Sequence, residues 1–146
     1  MGRGSPWGPR FPTTPRLALS LRRLGNEVDA RWPTRQRHTD GWIGDSEHKT
    51  RVSDHNPDPR GLVHAIDLTT DGLDVVALLA AVTQHPSVHY VIHDGKIWSR
   101  ANNMRPTRYD GINPHREHMH VSIFTNPRAE RSRHHWFARP AHPGRL

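Results

Sequence analysis

The chain has no cysteine, which removes disulfides, thiolate metal ligands and a cysteine nucleophile together. It also lacks any apolar run approaching the roughly 18 residues of a membrane-spanning helix. Apolar residues fill only 33% of its 146 positions and mean hydropathy is −0.84, so there is little material for a large core. A chain of this length suits one domain. Acids are missing from the first sixteen residues, where Arg3, Arg10 and Arg16 give a charge of +3. Residues 128–146 hold one acid, Glu130, against five arginines. Residues 17–127 balance, so the whole excess of +7 lies in two tails. The middle thus lacks the basic folded face of a specific nucleic-acid binder. Basic tails can attract polyanions, or can be only solubilising, disordered ends; both readings stand.

Histidine is abundant, with thirteen. A small core without disulfides needs another staple, and so much imidazole suggests a metal.

Residues 1–16 carry Pro6, Pro9, Pro12 and Pro15 and no apolar signal core, which spells a flexible arm. Leu17, Leu21, Leu24 and Val28 share one helical face; Gly25 weakens that helix and Pro33 ends it. Residues 33–62 are turn-rich. Leu62 to Leu68 reads as a strand with Val63, Ala65 and Asp67 on one face. A second helix is expected from about Leu73 to Gln84, capped by Thr70 or Asp71. Val88–His93 and Lys96–Arg100 flank Asp94-Gly95, a hairpin signal. Arg100–Pro114 reads as loop, and His118–Thr125 as a strand with His118, His120 and Ser122 on one face. After Pro127 the pattern stops. The expectation is an α+β domain over 17–126 with a small, mainly antiparallel sheet and flanking helices, a disordered arm at 1–16 and a basic disordered tail at 127–146.

Chemistry concentrates in three segments: Ser53-Asp54-His55-Asn56-Pro57-Asp58, Val63 to Asp67, and His115 to His120. Hydrolytic zinc takes about three nitrogen or carboxylate ligands and an open position for water. His55, Asp67 and His120 supply two neutral nitrogens and one negative oxygen, and Glu117, three residues before His120, is a candidate acid/base. Asp67 is the telling residue, because a carboxylate alternating with Val63 and Ala65 is costly unless paired or metal-bound. The plainer alternative is that it faces solvent or an arginine.

In order, these motifs resemble the zinc D,D-peptidase family. That family has the hedgehog/DD-peptidase fold and includes D-Ala-D-Ala carboxypeptidases and dipeptidases, and phage endolysins that cut L-Ala–D-Glu bonds in peptidoglycan. The chain is most similar to a subgroup from actinobacteria and their phages. That similarity is carried by Gly44-Asp45-Ser46-Glu47-His48, Ser53 to Pro57, Tyr109 to His115, and His118-Met119-His120-Val121-Ser122, within residues 17–125. The resemblance implies one zinc ion on His55, Asp67 and His120, with Glu117 in the place of the catalytic carboxylate, His115, His118 or Asp54 as alternative bases, and His118 otherwise lining the site or steadying the transition state. It makes Arg51 a candidate fork for a substrate carboxylate, with a surface arginine the plainer reading, Ser53 an orienting group, and Trp98 and Tyr109 candidate cleft walls, with simple core packing the alternative for both. Asp45 and His48 fit a supporting role. The residues between His55 and Asp67 outnumber the family's usual spacing, and the turn-rich stretch Asn56–Arg60 is expected to bulge out and leave both ligands in place.

The implied function is zinc-dependent hydrolysis of peptidoglycan stem peptides by a monomer, either as a carboxypeptidase or as an endopeptidase. Its basic arms would touch anionic wall polymers. Without a signal core, the expected location is the cytoplasm until release, or a phage particle, with action at the wall. The alternatives are an inactive zinc-binding structural or recognition domain and a basic nucleic-acid binder.

Overall fold

The computed structural model describes residues 14–43 and 53–138. The arm before residue 14, the Gly44–His48 motif, Arg51 and the last eight residues lie outside them. The architecture is α+β: a five-stranded antiparallel sheet, three helices, and a short parallel pair of strands.

Helix α1 (Leu19–Arg31) buries Leu21, Leu24 and Val28 completely. Leu17 shares their period but belongs to strand β1 (Arg16–Leu17), which pairs in parallel with β2 (Leu62–Val63). The arm expected over 1–16 therefore gives up its last residue to the fold. The predicted strand Leu62–Leu68 is split: His64 separates β2 from β3 (Ala65–Thr69). Helix α2 (Val75–Gln84) is capped by Asp74, whose Oδ1 accepts from the Ala77 amide at 3.1 Å. Thr70 and Asp71 do not cap it, because the Thr70 hydroxyl donates to the Glu117 carbonyl and the Asp71 carbonyl accepts from Gln36.

Strands β4 (Val88–His93) and β5 (Lys96–Ser99) form the expected hairpin. Asp94 and Gly95 both have positive φ, 48° and 75°, as a two-residue primed turn requires. The stretch read as loop contains a 3-10 turn (Arg100–Asn102) and an edge strand, β6 (Pro106–Arg108). Strand β7 (His118–Ile123) lies between β3 and β4, giving the order β3-β7-β4-β5-β6. Met119, Val121 and Ile123 point into a core shared with α1 and α2. Alternation sends His118, His120 and Ser122 to the opposite face.

Over residues 127–138 the expected disordered tail is ordered structure. Helix α3 (Pro127–Arg131) starts with Asn126 as cap and proline at its first turn. Buried Glu130 accepts from Arg60 at 2.8 Å and sits 2.7 Å from His64 Nε2. Trp136 is buried, donates its indole N–H to the Ser20 carbonyl, and stacks on His85 at 3.6 Å. The anchors are single polar and aromatic contacts, which leave no apolar period to read. No helix among the described residues is long and apolar enough to cross a membrane.

Candidate metal centre

Strand register builds the centre. Asp67 of β3 stands directly opposite His120 of β7, and His120 is paired on its other side with Ile92 of β4. His55 comes from the loop before β2, and two restraints aim it. The Ser53 hydroxyl accepts from the His55 amide at 3.2 Å, and the Trp42 carbonyl accepts from His55 Nδ1 at 2.9 Å. Trp42 is itself fixed because Gly41 forms a two-way backbone bridge with Asp67. That segment is held by buried Arg35, which donates to both oxygens of Asp40 at 2.8 and 2.7 Å, while Asp40 accepts from the Thr69 amide.

The Asn56–Arg60 bulge closes on itself. Asp58 accepts from the Arg60 and Leu62 amides, and the Gly61 amide returns to the Asp58 carbonyl. The extra residues are thereby taken up, and His55 Nε2 comes to 3.2 Å from Asp67 Oδ2. His120 Nδ1 is 3.1 Å from Asp67 Oδ1 and 3.1 Å from His55 Nε2. His55 and His120 are buried, and Asp67 is only slightly exposed.

The outer ring nitrogens decide what the inner ones offer. A carbonyl only accepts, so His55 Nδ1 carries the proton and the Nε2 of the neutral ring presents a lone pair. The outer nitrogen of His120, Nε2, is 2.7 Å from the Ser122 hydroxyl. Tyr90 stacks on His120 at 5.6 Å and donates to Asp54 at 2.9 Å. Two imidazole nitrogens and a carboxylate therefore meet with their outer atoms already engaged, the arrangement that orients metal-binding histidines. Such a set fits a divalent cation, which would replace the repulsion of facing lone pairs by attraction. In the metal-free chain a proton partly does this. Burial opposes charging of His55, but Asp67 and the Trp42 carbonyl outweigh it and raise its pKa above the ordinary value. Burial likewise opposes ionisation of Asp67, and hydrogen bonds from His120 and His55 override it, holding the carboxyl well below its usual range.

Two further groupings of possible ligands occur among the described residues. Asp58, His64 and Glu130 already contain the Arg60 guanidinium, which bonds both carboxylates, so no cation is called for there. Among the described residues, no lysine or arginine pairs with Asp67, His115 or His118.

The other expected site residues divide. His118 faces Asp67 at 3.6 Å. Tyr109 approaches through His115, with ring centroids 6.0 Å apart, and its ring lies so close over Gly111 that a β-carbon there would collide with it. Ser53 acts on the His55 backbone as described. Glu117 is not brought in: its carboxylate is 71% exposed and lies 3.3 Å from His38 Nε2, outside the convergent groups. It sits in the bend just before β7, one residue ahead of His118. Trp98 is opposite Val91 and packs against the hydrophobic core, so it does not wall the cleft.

His115 entered the sequence reading only as an alternative base, not as a metal ligand. It is in the left-handed region, φ 57°, stapled by the Asn113 side chain to its amide and by its carbonyl to the Asp94 amide. Its ring stands 4.9 Å from His118 and 5.3 Å from His120. Burial, with neighbouring His120, pushes its pKa down to about 4. His118 is lowered too, again chiefly by burial.

No protein-family model, curated protein or solved structure matches the chain.

Proposed function

We propose that the protein is a zinc-dependent peptidase that hydrolyses stem peptides of peptidoglycan, with His55, Asp67 and His120 holding the ion. The observation that carries this is the convergence of His55 Nε2, His120 Nδ1 and Asp67 while Trp42 and Ser122 engage the outer ring nitrogens. The sequence resemblance to the zinc D,D-peptidases, and to their hedgehog/DD-peptidase fold, supports the choice of metal and substrate. A zinc ion bound there would supply Lewis acidity toward a carbonyl and lower the pKa of water to about 7.

The chain's own residues set the conditions. Asp67 brings one negative charge, and the two imidazoles bring none, so a divalent ion keeps net positive charge. Trp42 and Ser122 hold the ring orientations, and the Asp54–Tyr90 pair backs His120. The His115 and His118 rings stand neutral beside Asp67 and narrow the approach. Tyr109 backs His115 at its outer side.

The second reading is a zinc-binding recognition domain without catalysis. The exposed position of Glu117 favours it, since the expected carboxylate base is outside the group. Digestion of purified cell wall, with and without chelator, followed by mass spectrometry of released peptides separates the two. Chelator-sensitive release that returns with zinc supports the peptidase; bound zinc with no released product supports the recognition domain.

A further inference from the structure

We propose that the protein binds a second divalent cation, held by His115, His118 and Asp67, with Asp67 shared between the two ions. The proposal builds on the first centre only through Asp67, which belongs to both groups.

The ligand atoms of Asp67, His115 and His118 lie within 4.8 Å of one another. The donor types repeat those of the first centre: two imidazoles and one carboxylate. Both oxygens of Asp67 face imidazoles, and Oδ2 lies between the two groups. Oδ1 faces His120 at 3.1 Å, while Oδ2 faces His118 at 3.6 Å as well as His55 at 3.2 Å. Hydrolytic centres with two ions keep them about 3.5–4 Å apart, a span one carboxylate can bridge.

Unmet hydrogen-bonding capacity is present at this group. Among the described residues, both ring nitrogens of His118, and Nδ1 of His115, are buried without a hydrogen-bond partner. Other histidines of the fold find one: His85 Nε2 meets the His134 carbonyl at 3.0 Å, and His93 Nδ1 meets the His118 carbonyl at 3.0 Å. Leaving a buried polar atom unpaired costs about 1–3 kcal/mol. Two imidazoles with idle nitrogens, turned toward one carboxylate, are explained if a cation takes up that capacity.

The backbone adds a second, independent sign. A non-glycine residue in the left-handed region is uncommon. His115 is held there from both sides, by Asn113 at its amide and Asp94 at its carbonyl. That posture aims the ring into the cluster, edge-on to His118. Strain kept by dedicated restraints is characteristic of ligand-holding positions. The Asp58–His64–Glu130 group provides the contrast, because Arg60 already neutralises it and every member is engaged.

Zinc titration of the full chain, stripped by chelator, tests the proposal by calorimetry and elemental analysis. Wild type is expected to take two equivalents, the His115→Ala/His118→Ala double variant one, and His55→Ala one. One equivalent in wild type, unchanged in the double variant, overturns the second site and leaves the first intact. One equivalent whose affinity falls in the double variant also overturns it, because His118 is then an extra ligand of a single ion. No zinc in any protein removes both centres. Manganese-loaded wild type gives a variant-free check by electron paramagnetic resonance. An exchange-coupled signal is expected, and the spectrum of isolated ions contradicts the shared carboxylate.

Discussion

His120 and Asp67 are register partners across β7 and β3, and that pairing sets His120 Nδ1 3.1 Å from Asp67 Oδ1. The contact follows from strand register, so it is as rigid as the sheet. His55 reaches the same point from a loop and depends on Trp42 and Ser53 for its aim.

Removing Asp67 and removing its supports should have different effects. Asp67→Asn is expected to abolish tight zinc binding, because it deletes the only charged ligand of the centre. Ser122→Ala keeps all three ligands but frees the outer nitrogen of His120, and should weaken zinc affinity by about 10–100-fold. Calorimetric titration with circular dichroism as a fold check measures both. Equal affinities for Ser122→Ala and wild type would show that Ser122 does not orient the ring.

Glu117→Gln is expected to leave zinc affinity unchanged within about twofold, since its carboxylate faces His38 outside the cluster. Wall hydrolysis should persist as well. A folded, zinc-loaded Glu117→Gln protein that releases no peptide would restore that carboxylate to the chemistry.

Stability of the metal-free chain should peak near neutral pH. Burial lowers the folded-state pKa of His85, His115 and His118 below the ordinary 6.5, to about 4 for His115. Between about 6.5 and 4 the unfolded chain binds more protons at these groups. Their contribution is therefore complete above 6.5 and is lost as pH falls through that window. Asp67, held low, adds a loss at still lower pH, as pH falls through its folded-state value. His55 runs the other way: its pKa is raised, so its contribution is complete below about 6.5 and disappears as pH rises through the raised value. Denaturant midpoints of chelated protein across pH 4–9 measure the sum, and a midpoint that rises steadily toward acid would contradict these signs.

Two glycines should respond oppositely to alanine. At Gly25 an added β-carbon would meet only Ile66 Cδ1, at an ordinary 3.6 Å, within a helix. Gly25→Ala is expected to stabilise by about 0.5–1 kcal/mol. At Gly72, φ is 94° and the β-carbon would lie 2.8 Å from the Arg35 backbone, so Gly72→Ala should destabilise. Thermal melts distinguish the two, and equal shifts would contradict the packing of the Arg35 loop on this turn.

The end of the fold can be tested by Trp136→Ala, which removes a buried indole and its bond to Ser20. The expected loss is about 3–5 kcal/mol. A change below about 0.5 kcal/mol would mean that residues beyond 126 are a dispensable tail.

Periodicity and turn chemistry made much of this fold legible. The apolar spacing of Leu21, Leu24 and Val28 marked α1, and Asp94-Gly95 marked the β4–β5 hairpin. The alternation of His118, Met119, His120 and Val121 marked β7 and its two faces. Asp67 was legible because a carboxylate in a buried strand needs a partner, and the family resemblance pointed to His55 and His120 beside it. Glu117 misled because it stops one residue short of β7, and an odd separation from His120 does not bring it to the same face. Trp98 misled because a hairpin has a core face and an open face, and register with Val91 decides between them. Helix α3 and β6 are too short to carry a period. The role of His115 rests on a backbone angle, which composition and spacing do not encode.

The most direct test is anomalous diffraction at the zinc edge from zinc-loaded crystals. The account predicts a peak about 2.0–2.2 Å from His55 Nε2, His120 Nδ1 and an Asp67 oxygen. No anomalous peak among these three side chains, or zinc found only at other surface positions, would contradict it.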